Sequence, residues 1–339
     1  MDALQSIGVF AAQTFLILFA VLAVILVIAL LAAKASHKSE IQIELLHKRY
    51  KNFRHLLKAH TVTKSERKEL KKKLKEERKA LDSKSSDGDK KIFVIDFEGD
   101  VKASAVENLR EEVTAVLTLA TPSDEVVVRV ESPGGVVHGY GLAASQLLRI
   151  REKGIPLTVC VDKVAASGGY LMSVTANKIL CAPFAIVGSI GVVAQLPNLH
   201  RLLKKHDVDY KEYTAGEFKR TVSLLGEITD KGEEKFKQQL EDTHTLFKSF
   251  VSRFRPQLNL AEVATGEYWY GEQALTKLLV DEIRTSDDYL LTLSEKHQVV
   301  KVKFEHHESL SDKLTGVLGK ALKKGALSAM EELETRRFL

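Results

Sequence analysis

The feature that most constrains this chain is a set of short apolar runs separated by helical patterns. The runs are Ile92-Phe93-Val94-Ile95, Val126-Val127-Val128, and Leu157, Val159 and Val161. Each is apolar on both faces, as a strand must be when helices cover its sheet above and below. Helical patterns fall between them, over Val106 to Leu119 and Gly139 to Arg151. This alternation predicts an α/β body with a buried parallel sheet. Composition agrees: 45% of the 339 residues are hydrophobic but only 7% aromatic, so Val, Ile, Leu and Ala must fill the core. Further helices are predicted over Tyr170 to Ala176, Leu199 to Lys205 and Glu233 to Phe254, and a strand over His297 to Phe304.

Outside this body the chain changes character. Residues 3–33 carry no charge, and Thr14 to Ala33 is nearly continuous Leu, Ile, Val, Ala and Phe. About 20 apolar residues cross the hydrocarbon core. A cleaved signal would have a shorter apolar region and a basic start, whereas this start carries Asp2 and no Lys or Arg. Residues 1–38 are therefore expected to be a single-pass transmembrane anchor in a lipid bilayer. Lys34, Lys38, Lys48, Arg49 and Lys51 follow the span and none precedes it, which points the body to the cytoplasm.

A charged helical segment and linker is expected over 39–89. Leu46, Tyr50, Phe53 and Leu57 make one apolar stripe, and Leu74 and Leu81 lie seven apart. The plain reading is a solvated helical spacer. A short coiled coil, or a basic face against anionic lipid, is the functional alternative. Lys64 to Lys79 holds nine basic and four acidic residues, so this run equals the chain's formal net charge of +5. The body is then near neutral, and no nucleic-acid partner is expected. Asp82 to Asp89 reads as the linker, 90–290 as the main domain, and 291–339 as an appendage with a short helix over Leu314 to Ala326. Cys160 and Cys181 lie in apolar runs without metal-ligand neighbours, so each reads as a small buried hydrophobe.

The chemistry concentrates in small-residue turns. Ser132-Pro133-Gly134-Gly135 follows the second strand and precedes a helix. Its glycines can turn backbone N–H groups outward toward a developing oxyanion. Ala165-Ala166-Ser167-Gly168-Gly169-Tyr170 follows a strand and leads into an apolar helix. Ser167 there is a candidate nucleophile or, more plainly, a helix cap. Gly168 N–H could complete an oxyanion hole with that of Gly135. A serine needs a base. His138, His200 and His206 sit in no convincing pattern, whereas Lys219 follows a glycine turn in Gly216-Glu217-Phe218-Lys219, beside a Phe that could help desolvate it. Ser189, in Gly188-Ser189-Ile190-Gly191, could hydrogen-bond that lysine.

These pieces, in this order, resemble the signal peptide peptidase A family of Ser/Lys membrane serine proteases. The matching motifs are Ser-Pro-Gly-Gly (132–135), Ala-Ala-Ser-Gly-Gly-Tyr (165–170), Gly-Ser-Ile-Gly-Val-Val (188–193), Gly-Glu-Phe-Lys-Arg-Thr (216–221) and Ala-Thr-Gly-Glu-Tyr-Trp-Tyr-Gly (264–271). The resemblance implies a ClpP/crotonase-like spiral of ββα units. It makes Ser167 the nucleophile, Lys219 the general base, Gly134, Gly135 and Gly168 the oxyanion hole, and Ser189 the residue that orients Lys219. It further implies peptide or unfolded-protein substrates, including signal peptide remnants, and no metal or nucleotide cofactor. The chain would assemble as a homo-oligomeric ring or dome in the bacterial inner membrane, with the catalytic domain periplasmic, against the charge rule. A catalytically silent scaffold and an acyl-CoA enzyme of the crotonase type are the competing readings. One departure is visible: Leu278 stands where such proteins often have a glycine that ends a helix.

Overall fold

The computed structural model describes residues 15, 16, 19, 40–61 and 90–305. The expected anchor lies almost wholly outside these residues. So do the 64–79 run, the linker and the helix expected at 314–326. Among the described residues no helix is long and apolar enough to cross a membrane.

The body is an α/β structure built on a seven-stranded sheet of order β1-β10-β2-β3-β4-β6-β9. Its strands are β1 (Glu40–Leu45), β2 (Lys91–Glu98), β3 (Glu125–Glu131), β4 (Leu157–Val161), β6 (Lys178–Cys181), β9 (Glu282–Ile283) and β10 (Gln298–Glu305). From β10 through β9 every neighbouring pair is parallel. A second sheet, of order β5-β7-β8, comprises β5 (Val164–Ala166), β7 (Ile186–Gly188) and β8 (Tyr268–Tyr270).

Alternation along the strands divides the core into two faces. Phe93, Ile95 and Phe97 of β2, with Val126, Val128 and Val130 of β3, point to one cluster. Helices α2 (Val106–Leu117), α3 (Val137–Glu152) and α4 (Gly168–Ser173) cover that face. Ile92, Val94, Val127 and Cys160 point to the other face. There α1 (Leu46–Thr61) and α9 (Ser286–Ser294) pack with Leu46 and Leu290. Each large aliphatic side chain buried this way contributes about 1.5–3 kcal/mol relative to exposure.

The remaining helices are α5 (His200–Lys205), α6 (Asp230–Phe254), α7 (Leu260–Val263) and α8 (Gly271–Thr276). Thr229 caps α6 by accepting the Gly232 N–H. At the far end of α6, buried Arg255 makes a two-pronged ion pair to Asp281 at 2.8 and 2.9 Å. Asp281 also accepts the Ile179 N–H of β6 at 2.7 Å, so this aspartate ties α6 to the main sheet.

The described residues between Ile41 and Lys303 form one compact unit. Glu40 to Leu45 forms a strand where a helical spacer was expected. The predicted strand near 297–304 is β10, which lies beside β2 within the sheet.

Candidate active site

β3 and β5 bring the two small-residue turns together. Ser132 continues β3 and pairs in parallel with Ala165. Its N–H donates to Val164 O at 2.8 Å, and Ala166 N–H donates back to Ser132 O at 3.0 Å. Ser132 is fully buried and belongs to a hydrogen-bonded chain. Tyr140 OH donates to Asp100 O at 2.7 Å, Ser132 Oγ to Tyr140 OH at 2.5 Å, and Gly134 N–H to Ser132 Oγ at 3.1 Å. The Gly134 N–H is thus occupied inside the turn. That of Gly135 has no partner among the described residues.

Glycine is required where this turn meets Ser167. Gly134 has φ 89°, and a Cβ there would lie 2.7 Å from Ser167 Cβ and from Gly168 N. A Cβ on Gly168 would sit 2.3 Å from the Tyr140 ring. Gly168 opens α4, where a backbone N–H has no intrahelical partner.

Ser167 occupies the cap position of α4 but does not cap it. Its φ is 51° and ψ −116°, and its side chain makes no capping bond. A capping serine would have extended backbone and an engaged oxygen. The conformation costs about 1–3 kcal/mol for a residue with a Cβ. Two bonds hold it: Ser167 N–H donates to Gly188 O, and Leu171 N–H to Ser167 O, each at 2.8 Å. Behind it, buried Tyr170 donates to Leu279 O at 2.8 Å. Ser167 is partly exposed, and its Oγ has no hydrogen-bond partner among the described residues.

Gly188 and Ser189 form the wall beyond. Gly188, with φ 98°, lies against Trp269, and a Cβ there would be 2.8 Å from the indole. Ser189 also has a positive φ, 52°, and its N–H donates to Glu267 O at 2.7 Å. One residue on, the Ile190 carbonyl meets His244 Nε2 at 3.2 Å. Sequence reasoning missed His244. Its one signal was its place on the α6 stripe, four after Leu240 and three before Phe247.

Lys219 is placed differently. It ends a turn in which its N–H donates to Gly216 O at 3.1 Å. No residue from Gly191 to Asp230 is buried, and Lys219 is exposed. The Phe218 ring, expected to shield Lys219, instead faces Lys231 and Lys235 at 5.7 and 5.3 Å. Glu217 pairs with Lys231, and Arg220 with Glu212. Ser167, Gly134 and Gly168 are therefore brought together. Among the described residues no hydrogen bond joins Lys219 to Ser167 or Ser189. His138 is exposed on α3, and His200 and His206 lie in the uncovered segment. No cluster of metal-ligating side chains occurs among the described residues.

Comparison with known proteins covers nearly the whole chain. Residues 2–147 match the family model for the peptidase family S49 N-terminal region, and residues 149–300 that for peptidase family S49. A probable protease SohB of Haemophilus influenzae is 47% identical over 348 residues, covering 99% of this chain and 98% of its own length. A probable protease SohB of Buchnera aphidicola is 39% identical, over 94% of this chain and 95% of its own. A putative protease of the archaeon Methanocaldococcus jannaschii is 31% identical over 62% of this chain and 70% of its own. The motif resemblance is thus borne out over nearly the full length. The chain belongs to peptidase family S49, a family of serine peptidases.

Proposed function

We propose that this serine peptidase is a membrane-anchored endopeptidase working through a Ser167/Lys219 dyad on a ClpP/crotonase-like spiral. The observation that carries the nucleophile is the backbone of Ser167. It is a strained strand-to-helix residue whose hydroxyl is left free rather than used as a cap. Hydrolase nucleophiles commonly sit on such turns, which push the oxygen out toward substrate.

The chemistry follows from the groups present. Ser167 Oγ attacks the peptide carbonyl as Lys219 Nζ accepts its proton. The carbonyl oxygen becomes an oxyanion and takes the N–H groups of Gly135 and Gly168. Gly134 shapes the turn, because its own N–H is already bonded to Ser132. An oxyanion donor of this kind contributes about 2.7–4 kcal/mol to the barrier reduction. Lys219 then protonates the leaving amine, giving an acyl-enzyme. A water deprotonated by Lys219 releases the acid. Ser189 orients the lysine. Substrates are unfolded proteins or membrane-derived peptides, signal peptide remnants among them.

A lysine acts as a base only when unprotonated, which calls for dry or cationic surroundings. The 191–230 segment supplies apolar side chains without a cover: Val193 is 80% exposed and Tyr213 89%. We therefore place Lys219 at a homo-oligomeric contact, in a ring or dome that dries the site. The setting proposed is the bacterial inner membrane, with residues 1–38 as the anchor and the catalytic domain on the periplasmic side.

The test is paired. Ser167→Ala and Lys219→Ala should each lower hydrolysis of an unfolded protein by at least about a thousandfold, with the fold intact. Activity retained in purified Ser167→Ala protein would overturn the assignment. The exposure of Lys219 favours one alternative, a catalytically silent membrane-anchored scaffold. Labelling by a fluorophosphonate, lost on Ser167→Ala, excludes that scaffold. No labelling of the folded, assembled protein would establish it.

A further inference from the structure

Helix α1 carries one apolar stripe that meets two different surroundings. Leu46, Tyr50, Phe53 and Leu57 recur at spacings that keep them on one face. Leu46 is 2% exposed and, with Tyr50, packs into the cluster that holds Leu290 and Val299. The stripe then continues beyond what the body covers. Phe53 is 53% exposed, Leu56 59% and Leu57 69%.

The remaining faces of α1 are basic. Its 16 residues include Lys48, Arg49, Lys51, Arg54 and Lys58, and no Asp or Glu. Glu44 answers Arg49, and Glu295 lies 3.7 Å from Arg54. Lys48, Lys51 and Lys58 have no acidic partner among the described residues. Exposed Phe and Leu on one side with three uncompensated lysines around the rest is the pattern of a helix lying in a lipid–water interface.

Charge selects among the occupants. A second copy of α1 would bring five cations against five. The chain's own 64–79 run has a net charge of +5 and would be repelled in the same way. A leaflet bearing anionic headgroups matches both halves of the helix. Position agrees, since only residues 34–45 separate the uncharged stretch from α1. We infer that the uncovered part of α1 lies on the anionic surface of the bilayer, Phe53, Leu56 and Leu57 inserted and the lysines at the headgroups. This inference rests on the anchor reading above and adds a second contact to it.

The full-length chain carrying Leu57→Cys, labelled with an environment-sensitive fluorophore, tests the contact. Cys160 and Cys181 are fully buried, so the folded protein labels at position 57. The protein is reconstituted into phosphatidylcholine vesicles with and without phosphatidylglycerol. With phosphatidylglycerol the emission should shift to the blue and be mostly lost to doxyl groups on the lipid tails. Both effects should disappear with Lys51→Glu plus Lys58→Glu. Quenching by aqueous iodide in both vesicle types would overturn the inference, leaving α1 solvated. A probe shielded from iodide and doxyl alike would also overturn it, showing that protein covers the stripe. Alkaline carbonate extraction reads the anchor separately. Retention after carbonate with an iodide-accessible probe keeps the anchor and removes the α1 contact. Extraction by carbonate, after doxyl quenching in anionic vesicles, does the reverse.

Discussion

Around Ser167, from Val164 to Ser173, every residue is buried or half-buried, whereas from Gly191 to Asp230, the stretch that carries Lys219, none is buried. The first region is fixed within one chain. Gly134, Gly168 and Tyr140 leave no space to move, and Ser167 is locked through Gly188 and Leu171. The second region has turns and ion pairs but no core of its own. The nucleophile of the proposed dyad is therefore set by packing, and the base by whatever covers its segment. The two halves should respond to different perturbations.

The largest contrast is expected between Gly168→Ala and Lys219→Ala. A methyl at 168 meets the Tyr140 ring at 2.3 Å, with α4 and α3 both fixed, and should lower stability by about 3 kcal/mol. Lys219→Ala, on an exposed turn, should stay within about 0.5 kcal/mol of the parent. Denaturant unfolding reads both. Equal losses would erase the distinction between the regions.

A smaller effect, gated by pH, tests how firmly α1 belongs to the packed region. Burial holds the His47 ring below its ordinary value, with the Val299 hydrogen bond opposing and Lys51 and Lys48 assisting. Val299 serves either neutral tautomer, as N–H donor at 3.2 Å or as carbonyl acceptor at 3.1 Å. The folded chain resists protonation here more than the unfolded chain does. Its stabilising part is complete above the unfolded value of about 6.5 and is lost as pH falls below it toward the folded value. The unfolding midpoint should drop in that window, and His47→Gln should flatten the slope.

The smallest effect concerns Leu278. Its φ of 62° shows that the leucine adopts the left-handed geometry usually given to glycine at a helix end. Leu278→Gly should raise stability by about 0.5–1 kcal/mol in a thermal melt, strain relief outweighing the added freedom of the unfolded chain. The neighbouring Leu279 carbonyl accepts the Tyr170 hydroxyl, so the gain belongs to the Ser167 side. It should leave the 191–230 segment untouched.

The same contrast explains what could be read from sequence. β2, β3 and β4 were legible because central parallel strands are apolar on both faces, and the helices between them because their period is long enough to repeat. β5, β7 and β8 were not. Each has three residues, too short for any period, and their partners are remote in the chain. β1 was absorbed into the expected helix because Glu-Ile-Gln-Ile-Glu-Leu alternates over six residues only. Ser167 and its glycines announced themselves by small size beside strand ends. The occupied Gly134 N–H could not be foreseen, since it depends on Ser132 turning inward to Tyr140. The surroundings of Lys219 were illegible for a deeper reason. The desolvation a basic lysine needs is a property of the space around it, which local sequence does not encode.

The backbone of Ser167 bears on what this residue is for. Glycine at 167 would adopt φ 51° without steric penalty and would serve the fold at least as well. Drift acting on stability alone would therefore favour its loss. A chain kept merely for assembly would gain nothing from the hydroxyl, whereas the proposed peptidase requires it. The strained serine therefore weighs against the silent-scaffold reading before any substrate is identified.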